Sequence, residues 1–205
     1  RPSKEMLFII GIFFGAAMGE DTTKRFDRRA ASYARARPGY PEELLDHLFE
    51  KEVLEAGFQV ADVGSGTGIF SKMLMDRRLT VYAIEPNEEM RREAERALGA
   101  KPGFRSIDGR AESTTLDNGS VDALCAAQSF HWFDPPRARK EFQRILKPKR
   151  FVVLVWNQRE VSKGSFVEDY DGIIGRYSSE HGEIDSRKNE PERIFQGSHY
   201  DRIEL

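Results

Sequence analysis

Apolar positions along this chain fall into short, dense runs separated by longer stretches with helical spacing. FQVADV (58–63), LTVYAIE (79–85), VDALCAAQS (121–129) and FVVLVW (151–156) have the density and β-rich character of buried strands, and FRSIDG (104–109) reads as a short strand among them. Between them, GIFSKMLMDR (68–77), PNEEMRREAERALGA (86–100) and PPRARKEFQRILK (135–147) repeat their apolar residues at helical intervals. The last of these turns Phe142, Ile145 and Leu146 inward. Upstream, PEELLDHLFEKEVLEAG (41–57) opens with Pro and two acids, puts Leu44, Leu45, Leu48 and Phe49 on one face, and stops at Gly57. Strands that are apolar throughout must be covered on both faces. Alternation with helices therefore predicts an α/β fold with a mostly parallel sheet.

The two ends depart from this pattern. Residues 6–18, MLFIIGIFFGAAM, are thirteen consecutive apolar or Gly residues behind a basic RPSK. A bilayer span needs about 20 such residues, and a signal-peptide core fits the length better. The expectation adopted is that residues 1–20 form an apolar leader outside the fold and that 21–205 form the domain. After Trp156, VSKGSFVEDYDGIIGRYSSEHG predicts a helix with Phe166, Tyr170 and Ile173 or Ile174 on one side. The final twenty residues are too polar to build a core, so the C-terminal strands are expected to be incomplete.

Composition narrows the function classes. The 205 residues suit one domain with a real core, and 39% hydrophobic with 32% charged content argues against disorder. A formal net charge of −2 supplies no overall basic field for a phosphate backbone, so no nucleic-acid partner and no stable membrane association are expected. The single cysteine, Cys125, sits mid-strand among small residues and has no partner for a disulfide or zinc site. His47, His181 and His199 lack ligand spacing, so no metal is expected, and a cytoplasmic location is the simplest compartment.

The strongest local signal is VADVGSGTG (60–68), which places Gly64, Ser65, Gly66, Thr67 and Gly68 between a predicted strand and a predicted helix. Glycines there let the backbone turn sharply and come close to a ligand, and the following helix offers free N–H groups. Glu85 follows 21 residues after Gly64, at the end of the next strand. A carboxylate at that spacing accepts hydrogen bonds from both hydroxyls of a ribose. The order strand, glycine loop, helix, strand, acid predicts an adenosine-type ligand. The loop is GxGxG, with Ile69 where a GxGxxG dinucleotide loop has its third glycine.

These residues carry a family resemblance. DVGSGTG (62–68) is similar to the first motif of class I S-adenosylmethionine-dependent methyltransferases, and AIEPN (83–87) to their second. GRAE (109–112) resembles their adenine-side loop, and residues 120–148 resemble the fourth strand, active-site turn and following helix of the type 11 group. QSFHWF (128–133), with FDRRAASYARARPGYP (26–41), looks most like the branch around trans-aconitate methyltransferases. The resemblance runs from about Phe26 to Asn157. It implies a Rossmann-like three-layer α/β/α sandwich that ends in an antiparallel strand pair, with S-adenosylmethionine as cofactor. It also implies roles: Asp62 and Gly64–Gly68 beside the methionine and ribose, Glu85 and Pro86 at the ribose, Arg110, Ala111 and Glu112 at the adenine, and Gln128 beside the methionine portion. Two positions depart from the pattern. Arg110 stands where many relatives have Asp, and KPKR (147–150) where many have KPGG, so that turn must form without glycine.

For the methyl acceptor, His131 and Trp132 lie just past the fourth predicted strand, at the end where open α/β sheets bind ligands. His131 is open to two roles, general base or pocket wall. Trp132 and Phe133 are expected to shape an apolar pocket, Tyr33 and Arg37 belong to the segment that covers the pocket in similar proteins, and Pro135-Pro136 marks a helix start. The function so implied is an enzyme, monomeric or homodimeric, that methylates a small-molecule acceptor, a carboxylate or phenol. The alternatives are a quinone or lipid-like acceptor, or a non-catalytic S-adenosylmethionine-binding module.

Overall fold

The computed structural model describes residues 7–11, 39–156 and 200–204. In chain order the strands are β1 (Leu7–Gly11), β2 (Gln59–Val63), β3 (Thr80–Ile84), β4 (Phe104–Ile107), β5 (Val121–Ala127), β6 (Leu146–Trp156) and β7 (Tyr200–Glu204). The helices are α1 (Glu42–Glu50), α2 (Ile69–Asp76), α3 (Glu88–Leu98) and α4 (Pro135–Ile145), with a 3₁₀ turn at Phe130–Trp132. The sheet order is β4-β3-β2-β5-β6-β1-β7, and every pairing between these strands is parallel.

Alternation along each strand divides the core in two. Val60, Ala123, Cys125, Val153 and Val155 face one side with Leu44, Leu45, Leu48, Phe70, Leu74, Ala94 and Leu98 of α1, α2 and α3. Ala61, Val63, Leu124, Ala126, Val152 and Leu154 face the other with Ala138, Phe142 and Ile145 of α4. Both strand faces are therefore buried, the physical reason these segments lack polar alternation. Three layers result, as expected for a Rossmann-like sandwich.

The chain runs outward through β2, β3 and β4, then returns to lay β5 on the other side of β2. The order reverses between β2 and β5, and the crevice beyond the carboxyl ends of such a strand pair is where open α/β sheets bind ligands.

Beyond α1, which ends at Glu50 rather than running on to Gly57, three observations differ from the sequence-based expectations. First, part of the apolar run set outside the fold lies in the sheet: Leu7–Gly11 pair with β6 on one side and with β7 on the other. Its backbone groups cover the edge that β6 would otherwise leave open. Second, the described C-terminal strand, β7, is parallel to β1, whereas the resemblance implied an antiparallel pair. Third, α4 ends at Ile145, and β6 begins at Leu146 rather than at Phe151.

That third difference shows how the glycine-free KPKR turn is made. Pro148 disfavours helical backbone at Lys147. The β5–β6 register shifts between Val121 and Ala123, and Lys149 takes a left-handed φ of 58°. Charges hold the turn: Lys147 Nζ lies 2.9 Å from Asp122 Oδ1 and Arg150 lies 3.7 Å from it, while Gln59 N–H donates to Asp122 Oδ2 at 3.0 Å. Burial works against the Asp122 carboxylate, yet these partners keep its pKa below the usual range. Among the described residues, no helix is long and apolar enough to cross a membrane.

Candidate functional site

The glycine loop leaves β2 at the point where the strand order reverses. Gly64 N–H and Ser65 N–H both donate to Ile84 O, at 2.8 and 3.2 Å, so the loop is tied to the end of β3. Gly64 adopts φ +70°, and a Cβ there would stand 2.5 Å from Ser129 Cβ. Gly68 adopts φ +82° at the start of α2, where a Cβ would meet Leu98 Cδ1 at 2.8 Å. These two glycines serve packing as well as backbone freedom. Gly66, φ +56°, has open space where a side chain would project.

Glu85 sits one residue past β3 with its carboxylate under the loop. Oε2 accepts from Gly66 N–H and Oε1 from Asn87 N–H, each at 2.9 Å. Burial raises its pKa, against the pull of those two N–H groups and of Arg91. Arg91 Nη1 donates to Glu85 O at 2.8 Å and pairs with Asp108 at 3.1 Å. Half-buried Pro86 separates Glu85 from Asn87, whose side chain caps α3 by accepting from Met90 N–H at 2.9 Å.

Asp62, 1% exposed, lies near the end of β2 on the α2 side. Its Oδ2 accepts from Ser71 Oγ at 2.6 Å, while Oδ1 is buried with no partner. Burial, helped by the nearby Glu85 charge, pushes the pKa to about 7 against the Ser71 hydroxyl. Thr67 Oγ1 is also buried with no partner. Beyond β4, Arg110 and Ser113 close a tight turn through reciprocal N–H···O bonds of 3.0 Å, with Arg110 exposed and Ala111 buried at its tip. Glu112 Oε1 accepts from Asp134 N–H at 2.7 Å, so this turn touches the start of α4.

The segment after β5 comes back against the glycine loop. Gln128 holds a left-handed φ of 55°, and its N–H donates to Val155 O at 2.8 Å. A non-Gly residue there carries a conformational cost that only surrounding structure sustains, a feature concentrated at functional sites. Ser129 Oγ donates to Val63 O at 2.6 Å, directly beneath Gly64. Phe130 is fully buried, and Phe133 packs edge-on against Phe130 and Phe142 at 5.8 and 6.1 Å. Phe133, expected to shape a pocket together with Trp132, is thus an anchor to α4. His131 and Trp132 remain half-exposed, ring centres 4.3 Å apart. Asp134 accepts from Arg137 N–H at 3.2 Å and caps α4, so Pro135-Pro136 is a helix start.

Asp62, the 64–68 loop, Glu85, Pro86 and Gln128 are therefore gathered around the ends of β2, β3 and β5, with His131 and Trp132 on the turn that follows. Arg110–Glu112 lies past β4 and joins the group through α4. Tyr33 and Arg37 lie outside the described residues. Sequence reasoning missed Ser71, Ser129 and Arg91, whose contacts come from packing. It missed Asn87 too, although an Asn just before a charged helix is a readable cap signal. No cluster of metal-ligating side chains occurs among the described residues.

S-adenosylmethionine presents a ribose diol, a cationic amino acid portion and an adenine. The residues fit it: a carboxylate at Glu85, an unpartnered buried acceptor on Asp62, and clear space over Gly66.

Comparison with known proteins agrees. Residues 61–154 match the type 11 family described as a methyltransferase domain. An uncharacterised methyltransferase of Mycobacterium bovis is 39% identical over 156 residues, covering 76% of this chain and 61% of the relative. One from Schizosaccharomyces pombe is 32% identical over 158 residues, covering 75% and 59%. A solved structure described as a type II methyltransferase, from Anaeromyxobacter dehalogenans, shares 31% identity at a TM-score of 0.56, covering 68% of this chain and 59% of that one. The chain spans about three fifths (61% and 59%) of the length of these curated relatives.

The fold and these similarities are those of a class I S-adenosylmethionine-dependent methyltransferase domain. Within that class, residues 61–154 are similar to the type 11 methyltransferase domain family.

Proposed function

We propose that this protein transfers a methyl group from S-adenosylmethionine to a small-molecule acceptor, a carboxylate or a phenol. The bound cofactor supplies an electrophilic methyl on its sulfonium. The chain's own part is to bind, orient and exclude water. Glu85 accepts from the ribose hydroxyls with the lone pairs its two backbone donors leave over. Asp62 Oδ1 gains a polar partner in the loop it now lacks. The Arg110–Glu112 turn meets the adenine, and Gln128 flanks the methionine portion.

The observation that carries the proposal is the contact of Ser129 with Val63 and Gly64. It supports a site in which the cofactor loop and the His131–Trp132 turn open into one crevice. Trp132 lines the acceptor side. His131 is its wall for an acceptor already ionised at pH 7, as a carboxylate is. A screen of carboxylate and phenolic acceptors with methyl-labelled donor tests the reading. Label should pass to a carboxylate or phenol. Exclusive labelling of quinones would overturn the acceptor class, and donor binding without any turnover would indicate a binding module.

A further inference from the structure

Glu141 lies on α4 and is buried at 8% exposure. Its Oε1 accepts from Thr114 N–H at 2.7 Å, Thr114 Oγ at 2.6 Å and Arg144 Nη2 at 2.7 Å. Its Oε2 accepts from Arg144 Nε at 2.8 Å. Arg144 continues the connection, donating from Nη1 to Asn118 Oδ1 at 2.7 Å, while Arg144 O accepts from Gly119 N–H at 2.9 Å. The Glu141 carboxylate and the guanidinium and carbonyl of Arg144 thus fasten Thr114, Asn118 and Gly119 to α4.

What Thr114 fixes is the turn before it. Thr114 O stands 3.1 Å from the position a Cβ would take on Gly109, and Ile84 Cγ2 stands 3.0 Å from the same point. Thr114 and the residue before Glu85 therefore both crowd the side of Gly109 on which a side chain would stand. The turn closed by Arg110 and Ser113 has Gly109 at one end and Thr114 at the other. Glu112 adds a second tie to α4 through Asp134 N–H.

We propose that Glu141 is a positioning residue for the cofactor: through Thr114 it sets the height and tilt of the Arg110–Glu112 turn over the adenine. The inference rests on the reading above that this turn meets the adenine. The Arg144 pair, against the cost of burial and with both Thr114 donors, lowers the Glu141 pKa to about 2. The clasp is therefore ionised throughout the physiological range. Glu141→Gln keeps the shape but puts an amide N–H₂ where one oxygen accepted, leaving a donor at Thr114 or Arg144 without its acceptor.

The test is calorimetric binding of S-adenosylhomocysteine and of 5′-methylthioadenosine, which keeps the adenine and ribose but lacks the amino acid. Glu141→Gln and Thr114→Val should each weaken both ligands by about tenfold. Thr114→Ser, which keeps the hydroxyl, should restore parental affinity. A lowered melting temperature with both dissociation constants unchanged would overturn the proposal, since the clasp would then be purely structural. Weakening of S-adenosylhomocysteine alone would overturn it too, by placing the effect on the methionine side. Thr114→Val decides the matter by itself if Glu141→Gln does not fold. Glu85→Ala, run in parallel, separates the two readings. If it weakens binding and the clasp variants do not, only this inference fails; if none of the three does, the site itself lies elsewhere.

Discussion

Two carboxylates lie under the glycine loop, Asp62 buried and Glu85 half-buried, and they behave differently. Glu85 is held by two backbone N–H groups. Its truncation in Glu85→Ala leaves those donors and the ribose diol without an acceptor. S-adenosylhomocysteine affinity should fall by roughly 1–3 kcal/mol while the fold survives, which titration calorimetry measures. Asp62 has one oxygen unpartnered and a pKa raised to about 7. A carboxyl whose folded pKa lies above its unfolded value favours the folded state below the unfolded pKa, and that contribution is lost as pH rises through the folded value. Without cofactor, Asp62→Asn should therefore be more stable than the parent at pH 8, with a smaller difference at pH 4. Equal melting temperatures at pH 8 would contradict the raised pKa.

At the element scale, the β2–α2 loop and the turn after β5 are one packed unit. A Cβ at Gly64 would stand 2.5 Å from Ser129 Cβ and would force a left-handed backbone on a residue that resists it. Gly64→Ala should cost stability by more than about 1 kcal/mol and weaken both cofactor and acceptor binding. Gly66→Ala, with open space at its Cβ, should carry the conformational cost alone. Chemical denaturation of the two variants side by side distinguishes them. The turn itself is anchored by Phe130 and Phe133, leaving His131 and Trp132 half-exposed. Trp132→Ala should raise the acceptor KM and leave S-adenosylhomocysteine affinity nearly unchanged. For a carboxylate acceptor, His131→Gln should lower kcat modestly and keep the shape of the pH profile. A fall of about 10²–10⁴ with a flattened profile near neutrality would instead make His131 the general base.

At the scale of the whole molecule, the shifted carboxyls of the described residues set opposing slopes of stability against pH, with Asp76 and Asp122 lowered along with Glu141. Glu141, pulled down to about 2, contributes stability above its unfolded pKa of 4.5 and loses it as pH falls toward 2. Asp62 and Glu85, both raised, contribute below their unfolded pKa values of 3.8 and 4.5 and lose that contribution as pH rises, for Asp62 through about 7. The cofactor-free protein should therefore be most stable in mildly acidic buffer and decline toward pH 8. Saturating S-adenosylmethionine should flatten the decline, because it binds the folded state and gives Asp62 a polar partner. Thermal melts from pH 3 to 8, with and without cofactor, measure this. A profile that rises steadily to pH 8 without cofactor would contradict the assignment.

The sequence by itself determined the five strands β2 to β6, the helices between them, and the GxGxG loop followed at 21 residues by Glu85. Those features are local: a strand buried on both faces must be apolar throughout, and a loop that turns at positive φ selects glycine. Tertiary structure alone decided the rest. Ser129 under Gly64 joins residues 65 positions apart, and Glu141 reaches Thr114 across 27. No periodicity encodes such contacts, since they exist only once β5 returns beside β2 and α4 packs over the sheet. The same holds at the ends. An apolar run such as Leu7–Gly11 suits a leader or a buried strand equally well in isolation, and its partners β6 and β7 are what make it a strand.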